Sequence, residues 1–314
     1  MIRRFAGAMA ALFLLTVLTG CWSHRELNEL SIVVGVGVDK SADGFHVAVQ
    51  VVNPGQVSST NRGGSNRVPV TMFEESGSSI LETFRRMKKT APRRIYMSHL
   101  RMLIIGEEVA REGITDVLDF FSRVHEARTD YYVAIAKGTT AQNMLRLLTP
   151  VDEIPANDMF YSLDTTQNLW AATSGITLED LQRILATDGE SLVLPGIKMK
   201  GNLAEGQKQG NVETILPAAR FQFDGLGVFQ KDRLVAWLDE EEGKGYNFFH
   251  DNVKGTAIRI PCPGGDYVSV EIMRSKTNLK SKVVNEKPVI NVRIDLEANI
   301  EEAACSVDLT DTHT

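Results

Sequence analysis

Cys21 is the residue whose type and position point most directly to chemistry. The first four residues carry two positive charges, residues 5–18 are apolar, and small residues stand directly before the cysteine. A basic start, a short apolar stretch and a small-residue cleavage site make up a secretory signal peptide. With cysteine after the cut, the pattern predicts a bacterial lipoprotein signal over residues 1–20. Cleavage would leave Cys21 as the acylated N-terminus.

An acyl anchor at Cys21 is expected to hold the mature chain at the outer face of a membrane. Stable anchoring takes two or more acyl chains, such as palmitate. The apolar segment before the cysteine is shorter than the about 20 residues that span a bilayer. The alternative is an ordinary signal peptide in which the cysteine stands by chance.

The overall charge argues against nucleic acid as the main partner. The 314 residues include 34 Lys and Arg against 40 Asp and Glu. Removal of residues 1–20 takes away two arginines and leaves a net charge of −8. Nucleic-acid binding favours a basic face, and anionic headgroups weakly repel an acidic body. The acyl chains are therefore expected to do the anchoring.

A local concentration of positive charge stands out against this acidic background. Between Thr83 and Gly106 there are seven basic residues and no acid, namely Arg85, Arg86, Lys88, Lys89, Arg93, Arg94 and Arg101. Arg85 and Lys89 have the spacing of neighbours on one helical face. Such a charge run is commonly a solvated face. The functional alternative is a docking surface for lipid headgroups or for an acidic partner.

No pattern in the sequence indicates a catalytic, cofactor or metal site. Gly35 and Gly37 lack the third glycine and the following helix of a dinucleotide fingerprint, so we interpret them as a strand with close backbone packing. The adjacent residues Ser98 and His99 could suggest a nucleophile beside a base. Adjacent residues on a strand point to opposite faces, however, which argues against such a pair. The histidines and cysteines do not have the spacing of zinc ligands. The chain is therefore predicted to be non-enzymatic, without cofactor or metal.

Cys262 and Cys305 are the two remaining cysteines. A disulfide between them is compatible with an oxidising compartment. We favour two separate buried thiols, because many exported proteins of single-membrane bacteria avoid disulfides.

The first half of the chain alternates predicted strands and helices. Apolar runs predict strands over residues 31–39, 45–52, 100–105 and 131–136. Helical spacing and caps predict helices that begin at Ser78 or Ser79, at Ile114 and at Thr140. Glu82 is the expected reciprocal cap of Ser79, and Pro92 is the expected end of the first helix. Residues 53–69 are predicted to be a mobile loop. The alternation indicates a mixed sheet with packed helices.

The second half begins with a helical region over residues 155–187, in which Thr177 is a predicted N-cap. The rest is mainly β, with strands predicted over residues 192–199, 219–223, 225–230, 233–238, 257–260, 266–274 and 289–297. Asp239–Glu242 is expected to be a solvated turn, followed by a connector over 243–252.

The predicted fold class is α+β, with mixed sheets, packed helices and a β-rich C-terminal part. Soft boundaries near 190 and 252 divide the mature chain into three small domains. These are an N-terminal α/β domain over 21–190, a middle β-rich domain over 191–252 and a C-terminal domain over 253–314.

Several stretches together resemble the Ger(x)C family. They are Cys21–Leu30, Ile32–Lys40, Arg93–Leu100, Leu103–Glu108, Leu118–Arg123, Ala136–Gly138 and Phe229–Leu238. The likeness runs over nearly the whole chain in the expected order. The chain differs from the family pattern at Ser23 and His24, where the family has Asp and Arg, but it has the cysteine that the family lipidates.

The resemblance implies a lipoprotein C subunit of a spore nutrient-germinant receptor, without enzymatic activity. It would lie on the outer surface of the cell membrane or inner spore membrane, in contact with integral membrane A and B subunits. Cys21 is the functional residue that carries over. Family members continue further, so the third domain is expected to be incomplete. The alternative is a lipoprotein solute-binding receptor of a transporter, but the sequence lacks the duplicated pattern that two similar lobes would need.

Overall fold

The structure is a computed structural model that describes residues 1–7, 9, 29–53, 68–187, 189–262 and 265–305. The chain divides into two units, Met1–Leu30 and Ser31–Thr314. In the first unit, residues 2–7 are helical. Cys21, most of the predicted signal peptide and most of the predicted 53–69 loop lie outside the described residues. No helix in the described part of the chain is both long and apolar enough to cross a membrane.

The larger sheet of the second unit has nine strands. They are β1 (Leu30–Ser41), β2 (Gly44–Val52), β3 (Val70–Gly77), β4 (Arg94–Tyr96), β5 (Met102–Gly106), β6 (Tyr132–Ala136), β7 (Val193–Gly201), β8 (Ala219–Gln230) and β9 (Arg233–Leu238). Their order is β3-β2-β1-β5-β6-β7-β8-β9, with β4 on β1. The centre from β1 to β7 is parallel, and antiparallel strands complete both sides. The predicted mixed sheet is confirmed, and β3 and β4 are additions to it.

Helices pack on both faces of this sheet. They are α1 (Ile80–Met87), α2 (Glu107–Glu112), α3 (Thr115–Arg123), α4 (Ala141–Arg146), α5 (Pro155–Leu169), α6 (Leu178–Ala186), α7 (Leu203–Gly206), α8 (Gly210–Glu213) and α9 (Glu240–Phe249). α1, α3 and α6 bury their apolar side chains in one cluster, and α4 and α5 bury theirs in a second. The two clusters lie on opposite faces, because alternate residues of β5 belong to each.

β5 shows why the centre of the sheet is an unbroken apolar run. Leu103 and Ile105 face one cluster, Met102 and Ile104 face the other, and all four side chains are fully buried. A parallel strand covered by helices on both faces needs apolar residues at every position. The sequence therefore predicts this strand correctly.

Gly35 and Gly37 let α4 and α5 approach β1 closely. A Cβ added to Gly37 would lie 3.1 Å from the Cβ of Ala141, and one added to Gly35 would lie 2.8 Å from a methyl group of Leu145. A side chain would require the Leu145 side chain to move at Gly35, and the backbone and Cβ of Ala141 to move at Gly37. The interpretation of both glycines as a closely packed strand is confirmed, and the hairpin to β2 follows directly.

Two predicted helix caps form as expected, and a third differs in detail. The Thr140 and Thr177 hydroxyls accept hydrogen bonds from backbone N–H groups of α4 and α6. The Ser79 hydroxyl likewise accepts a bond from the Glu82 amide. The Glu82 carboxylate, however, bonds to the amide and hydroxyl of Ser78 instead of returning to Ser79.

The predicted turn over 239–242 and the predicted connector over 243–252 are wrong, because Glu240–Phe249 form α9. Asp239 caps the helix by accepting a bond from the Glu242 amide, and the Glu242 carboxylate accepts one from the Asp239 amide. An acidic run is favourable here because the first turn of a helix carries unsatisfied N–H groups and a partial positive charge. Gly243 lies against the carbonyl of Ala172, where a Cβ would clash.

A separate antiparallel sheet completes the described chain. Its strands are β10 (Thr256–Pro261), β11 (Tyr267–Val284) and β12 (Lys287–Ala303), with β11 in the centre. β11 and β12 pair as far as Val284 and Lys287. β11 thus extends ten residues past its predicted end at 274, and β12 begins two residues before its predicted start at 289. Asn285 and Glu286 close the hairpin with φ angles of 50° and 62°, which a type I′ turn requires at both central positions.

Cys262 and Cys305 form a disulfide with a Cα–Cα distance of 6.6 Å. The expectation of two separate thiols is therefore wrong. Cys262 directly follows β10 and Cys305 follows β12, so pairing of both strands with β11 brings the two cysteines together. Sequence spacing alone does not reveal this proximity.

The boundary predicted near 190 falls within the larger sheet. β6 pairs with β7, so β7, β8 and β9 continue the sheet that begins with β1. The boundary near 252 falls between α9 and β10, where the smaller sheet begins. The division into three domains stays a prediction.

Candidate functional surfaces

The predicted basic patch centres on the end of α1. Arg85 and Arg86 lie in the last turn of the helix, and Lys88 and Lys89 lie in the turn that follows. All four are exposed. Cations are favourable at this place, because the carbonyl end of a helix carries a partial negative charge.

Two members of the patch are held by acids. Arg86 lies 2.7 Å from Glu82 and donates a hydrogen bond to the Ser76 carbonyl. Arg94 pairs with Glu126. Arg85, Lys88, Lys89 and Arg93 are exposed and form no ion pair with any residue that the structure describes. We call these four residues the α1 patch.

Arg101 is separated from the other patch residues. Its guanidinium carbon lies 5.0 Å from the ring centre of Phe160, which packs against the cluster of α4 and α5. Phe84 of α1 belongs to the cluster on the other face of the sheet. The structure therefore does not bring all seven predicted patch residues onto one surface.

A groove with apolar and polar lining lies between α1 and α3. Its volume is about 750 Å³, and its lining includes Leu81, Phe120 and Val124 together with the charged residues Asp116, Asp119 and Arg123. Leu81 is 55% exposed and lies one helical turn before Arg85, on the same face of α1. Apolar surface next to unpaired cations suits contact with a polypeptide that has both apolar and acidic side chains. The only signal for this groove in the sequence is an apolar residue on the outer face of α1.

A second cavity of about 390 Å³ lies at the carboxyl ends of β1, β5 and β6. In parallel sheets this edge is the usual position of ligand sites. Asp39 is buried here and accepts hydrogen bonds of 2.8 Å from the amides of Ala141 and Gln142. Burial raises the pKa of the Asp39 carboxyl, and the two N–H bonds offset this only in part.

Glu107 is the other carboxylate of this cavity with several partners. Burial acts to raise its pKa, but hydrogen bonds from the Gly138 amide, the Trp237 indole and Arg111 outweigh burial and leave the pKa below its ordinary value. The carboxylate oxygens of Asp39 and Glu107 are thus engaged by neighbouring elements, whereas Glu108, which also lines the cavity, is exposed. The bonds of Asp39 and Glu107 tie the ends of the central strands to the segments beside them.

One group of polar side chains was not identified from the sequence. Asp39, His46 and Ser76 are directly opposite one another on β1, β2 and β3, and His46 Nδ1 lies 2.9 Å from the Ser76 hydroxyl. A catalytic histidine needs its second nitrogen held by a carboxylate. His46 Nε2 has no hydrogen-bond partner, and Asp39 bonds to α4 instead. These three side chains are therefore not connected as a catalytic triad.

The other predicted chemical residues are also accounted for. Ser98 donates a hydrogen bond to the Glu126 carbonyl, and the His99 ring lies 6.5 Å from that of Tyr96. Among the residues that the structure describes, no group of three or more His, Cys, Asp or Glu side chains is placed to hold a metal ion.

Two family models match the chain. The model of the spore germination protein N-terminal domain matches residues 23–199, which is more than half of the chain. The model described as spore germination B3/GerAC-like, C-terminal, matches residues 224–314. The chain belongs to the GerAC-like family of spore germination proteins. The resemblance to the Ger(x)C family is confirmed.

Individual members of the GerAC-like family align over most of the chain. Spore germination protein KC of Bacillus subtilis (strain 168) is 32% identical over 317 residues, which cover 99% of this chain and 78% of the relative. Spore germination protein B3 of the same organism is 23% identical and covers 92% and 73%. A crystal structure of the GerBC protein is 20% identical with a TM-score of 0.45, and covers 87% of this chain and 73% of that one.

Membership of the GerAC-like family favours a role in spore germination over the solute-binding receptor of a transporter. The α1 patch and the α1–α3 groove both lie within the match to the N-terminal model. The hairpin of β11 and β12 lies within the match to the C-terminal model.

Proposed function

We propose that this chain is the lipid-anchored C subunit of a spore germinant receptor and acts without catalysis. The match of N-terminal and C-terminal family models along the chain carries this proposal. The position of Cys21 after a signal-like segment supports the anchor. The polar networks described above support a role through contact, because Asp39 and Glu107 are engaged by neighbouring elements.

The α1 patch and the α1–α3 groove are the surface that we assign to the integral membrane A and B subunits. Acyl chains on Cys21 would keep the chain close to these partners, and such confinement raises the effective concentration of one binding surface near another. Modest contacts then suffice for a stable assembly. The cations of the patch would meet acidic groups of the partner, and the groove would take apolar side chains.

The anchor is tested by Cys21→Ala in spores, with Ser23→Ala as a control that keeps the cysteine. Cys21→Ala is expected to abolish incorporation of labelled palmitate and to release the protein from the membrane fraction, because the acceptor sulfur is gone. The germination response to nutrients is expected to fall with it. A membrane-bound, palmitate-labelled Cys21→Ala protein, or a normal nutrient response in a deletion strain, would contradict the proposal.

The docking surface is tested by the combined change Arg85→Gln, Lys88→Gln and Lys89→Gln. We expect weaker co-purification with the integral membrane subunits and unchanged palmitate labelling, because the change removes charge without touching Cys21. Lys280→Gln, Lys282→Gln and Lys287→Gln remove the same charge from the C-terminal hairpin and serve as the matched control. Equal recovery of the partners with both triple variants would place the contact elsewhere.

A further inference from the structure

A third cavity, of about 420 Å³, lies between the C-terminal half of α5 and β8. We call it the α5–β8 cavity. Its volume falls within the roughly 300–1,000 Å³ that is typical of small-molecule sites. The loop after α5 and the start of α9 also line it, through Ala172, Thr173 and Glu240. The walls come from segments that are distant in the chain, so no local pattern in the sequence indicates this cavity.

The lining of the α5–β8 cavity combines hydroxyl groups with aromatic rings. Ser162, Thr165 and Thr166 line it from α5, and their spacing places them on one side of the helix. Phe221 and Phe223 line it from β8, with their ring centres 6.1 Å apart. Small-molecule sites typically have such a mixture of apolar rings and a few polar groups. The lining therefore suits a ligand that has both apolar surface and hydroxyl groups.

Thr173 is the buried polar residue of this lining. It is only 2% exposed, and its hydroxyl has no hydrogen-bond partner among the residues that the structure describes. A buried hydroxyl without a partner costs free energy, so nearly all such groups in folded proteins are bonded. A hydroxyl can both donate and accept a hydrogen bond. A ligand hydroxyl in the cavity would supply the partner that Thr173 lacks.

The loop that carries Thr173 is held in place by contacts outside the cavity. The Asn247 side-chain amide of α9 donates hydrogen bonds of 2.8 and 3.0 Å to the carbonyls of Ala171 and Thr173. The Thr256 hydroxyl donates one of 2.7 Å to the Trp170 carbonyl. These bonds do not involve the Thr173 hydroxyl. This wall is therefore formed before a ligand enters, which lowers the ordering cost of binding.

The charges around the α5–β8 cavity favour an uncharged ligand. Among the described residues that line it, none is Lys, Arg or His, so an anion would meet no counter-charge. Glu240 lies in the first turn of α9, where the helix N–H groups favour an acid. The Lys244 ammonium lies 3.7 Å from the ring centre of Trp170, which also lines the cavity. A ligand cation on this ring would therefore be repelled by a like charge.

We propose that the α5–β8 cavity binds one small, uncharged, polyhydroxylated molecule of the size of a single sugar ring. The C–H groups of such a ring pack on Phe221 and Phe223. Its hydroxyl groups bond to the hydroxyl of Thr173 and to the Glu240 carboxylate, which accepts from them. This binding activity goes beyond the contacts with membrane subunits and does not rest on them.

Binding is tested with methyl glucoside as the probe. The full chain is purified in a detergent that has no sugar headgroup and is studied by saturation-transfer NMR. We expect transfer of saturation to the ring protons of the glucoside, and a melting temperature of the protein that rises with the glucoside concentration. Butylammonium and butyrate, which carry opposite charges, are expected neither to receive saturation nor to displace the glucoside.

Thr173→Val separates ligand binding from folding. It is expected to weaken the affinity for the glucoside by about three- to tenfold, because one hydrogen bond to the ligand is lost. The melting temperature of the ligand-free protein is expected to stay the same or to rise, because the change removes a buried hydroxyl that has no partner. A purely structural role of this hydroxyl would not change the two quantities in this way.

A second pair of variants tests the α5 side of the cavity. The Thr166 hydroxyl lines the cavity and donates to the carbonyl of Ser162, four residues earlier. The Thr187 hydroxyl donates in the same way to the carbonyl of Arg183 but is not part of the lining. Thr166→Val is expected to weaken glucoside binding, whereas the matched control Thr187→Val is expected to leave it unchanged.

Several results would overturn the proposal. They are an absence of saturation transfer from the parent chain, equal affinities of the parent and Thr173→Val, and equal losses in Thr166→Val and Thr187→Val. Displacement of the glucoside by butylammonium or by butyrate would also contradict it, because the site would then select for charge. None of these results bears on the Cys21 experiment in spores or on co-purification with the membrane subunits.

Discussion

The centre of the larger sheet and the hairpin of the smaller one both contain large apolar residues, but these are buried in the first and partly exposed in the second. Met102 to Ile105 of β5 are fully buried between two layers of helices. Ile290, Val292 and Ile294 of β12 are also β-branched and apolar, yet each remains more than 40% exposed. Apolar character therefore predicts a strand in both regions but predicts burial in only one.

This difference in burial indicates which part of the chain contributes most to the free energy of unfolding. Burial of apolar surface contributes about 25 cal/mol per Å², and β5 gains this on both faces. A two-stranded hairpin is marginal in water unless another element packs on it. Within the part of the chain that the structure describes, the contacts of the hairpin with other elements lie at its base, where α9 packs and where Asp251 accepts hydrogen bonds from Lys276 and from the Thr277 amide. Among the described residues, the larger sheet is therefore expected to supply most of the stability.

The largest expected effect comes from a pair of substitutions by alanine, one in each region. Phe121→Ala, in the buried cluster of α3, is expected to lower the free energy of unfolding by about 3–5 kcal/mol, because it leaves a cavity in a packed core. Ile294→Ala, at a partly exposed position of β12, is expected to change it by less than about 1 kcal/mol. Urea unfolding followed by circular dichroism measures both. Equal losses would mean that Ile294 is buried in solution.

The disulfide should matter only for the smaller sheet. Replacement of Cys262 and Cys305 by Ser is expected to lower stability by about 2–4 kcal/mol, since the bond closes a loop with a sequence separation of 43 residues. Hydrogen exchange is expected to speed up in β10, β11 and β12 and to stay slow in β5. Equal loss of protection in β5 would show that the two sheets unfold as one unit, and the parent chain under reducing conditions provides the control.

The smallest expected change in stability concerns the Asp224 carboxylate on β8 of the larger sheet. Asp224 pairs with Lys137 at 2.7 Å and with Lys198. Burial acts to raise its pKa, but the bonds from both lysines outweigh burial and lower the pKa below the ordinary value of 3.8. Asp224→Asn is expected to cost about 1–2 kcal/mol at neutral pH, because two partly buried lysines lose their partner.

The pH dependence of this effect follows from the direction of the pKa shift. A carboxyl whose pKa is lower in the folded state contributes stability above its unfolded pKa, and this contribution is lost as the pH falls through the folded pKa. The difference between parent and Asp224→Asn should therefore be constant above about pH 5 and should shrink below pH 4. Asp43→Asn, in an exposed turn, is the control. A difference that grows on acidification would contradict the assignment.

Local patterns predicted the strands and caps because those signals lie within a few residues of each other. The apolar run of β5 and the hydroxyl of Thr177 each need only nearby residues to act. The same local reasoning failed at Asp239–Glu242, where acids that suit a solvated turn also suit the first turn of a helix. The spacing of Asp239 and Glu242 is that of a capping box, a local signal for a helix start that was missed. Gly243 then allows close packing of this helix against Ala172, which lies far away in the chain.

By itself, the sequence determined the mixed α+β character of the chain and the resemblance to its family, and it predicted the acylation of Cys21. Only the tertiary structure decided that Cys262 meets Cys305, that Arg101 lies apart from the α1 patch, and that β5 is buried on both faces. Secondary structure follows from the spacing of neighbours along the chain. Proximity and burial depend instead on which distant segments pack together, and no short stretch of sequence contains that information.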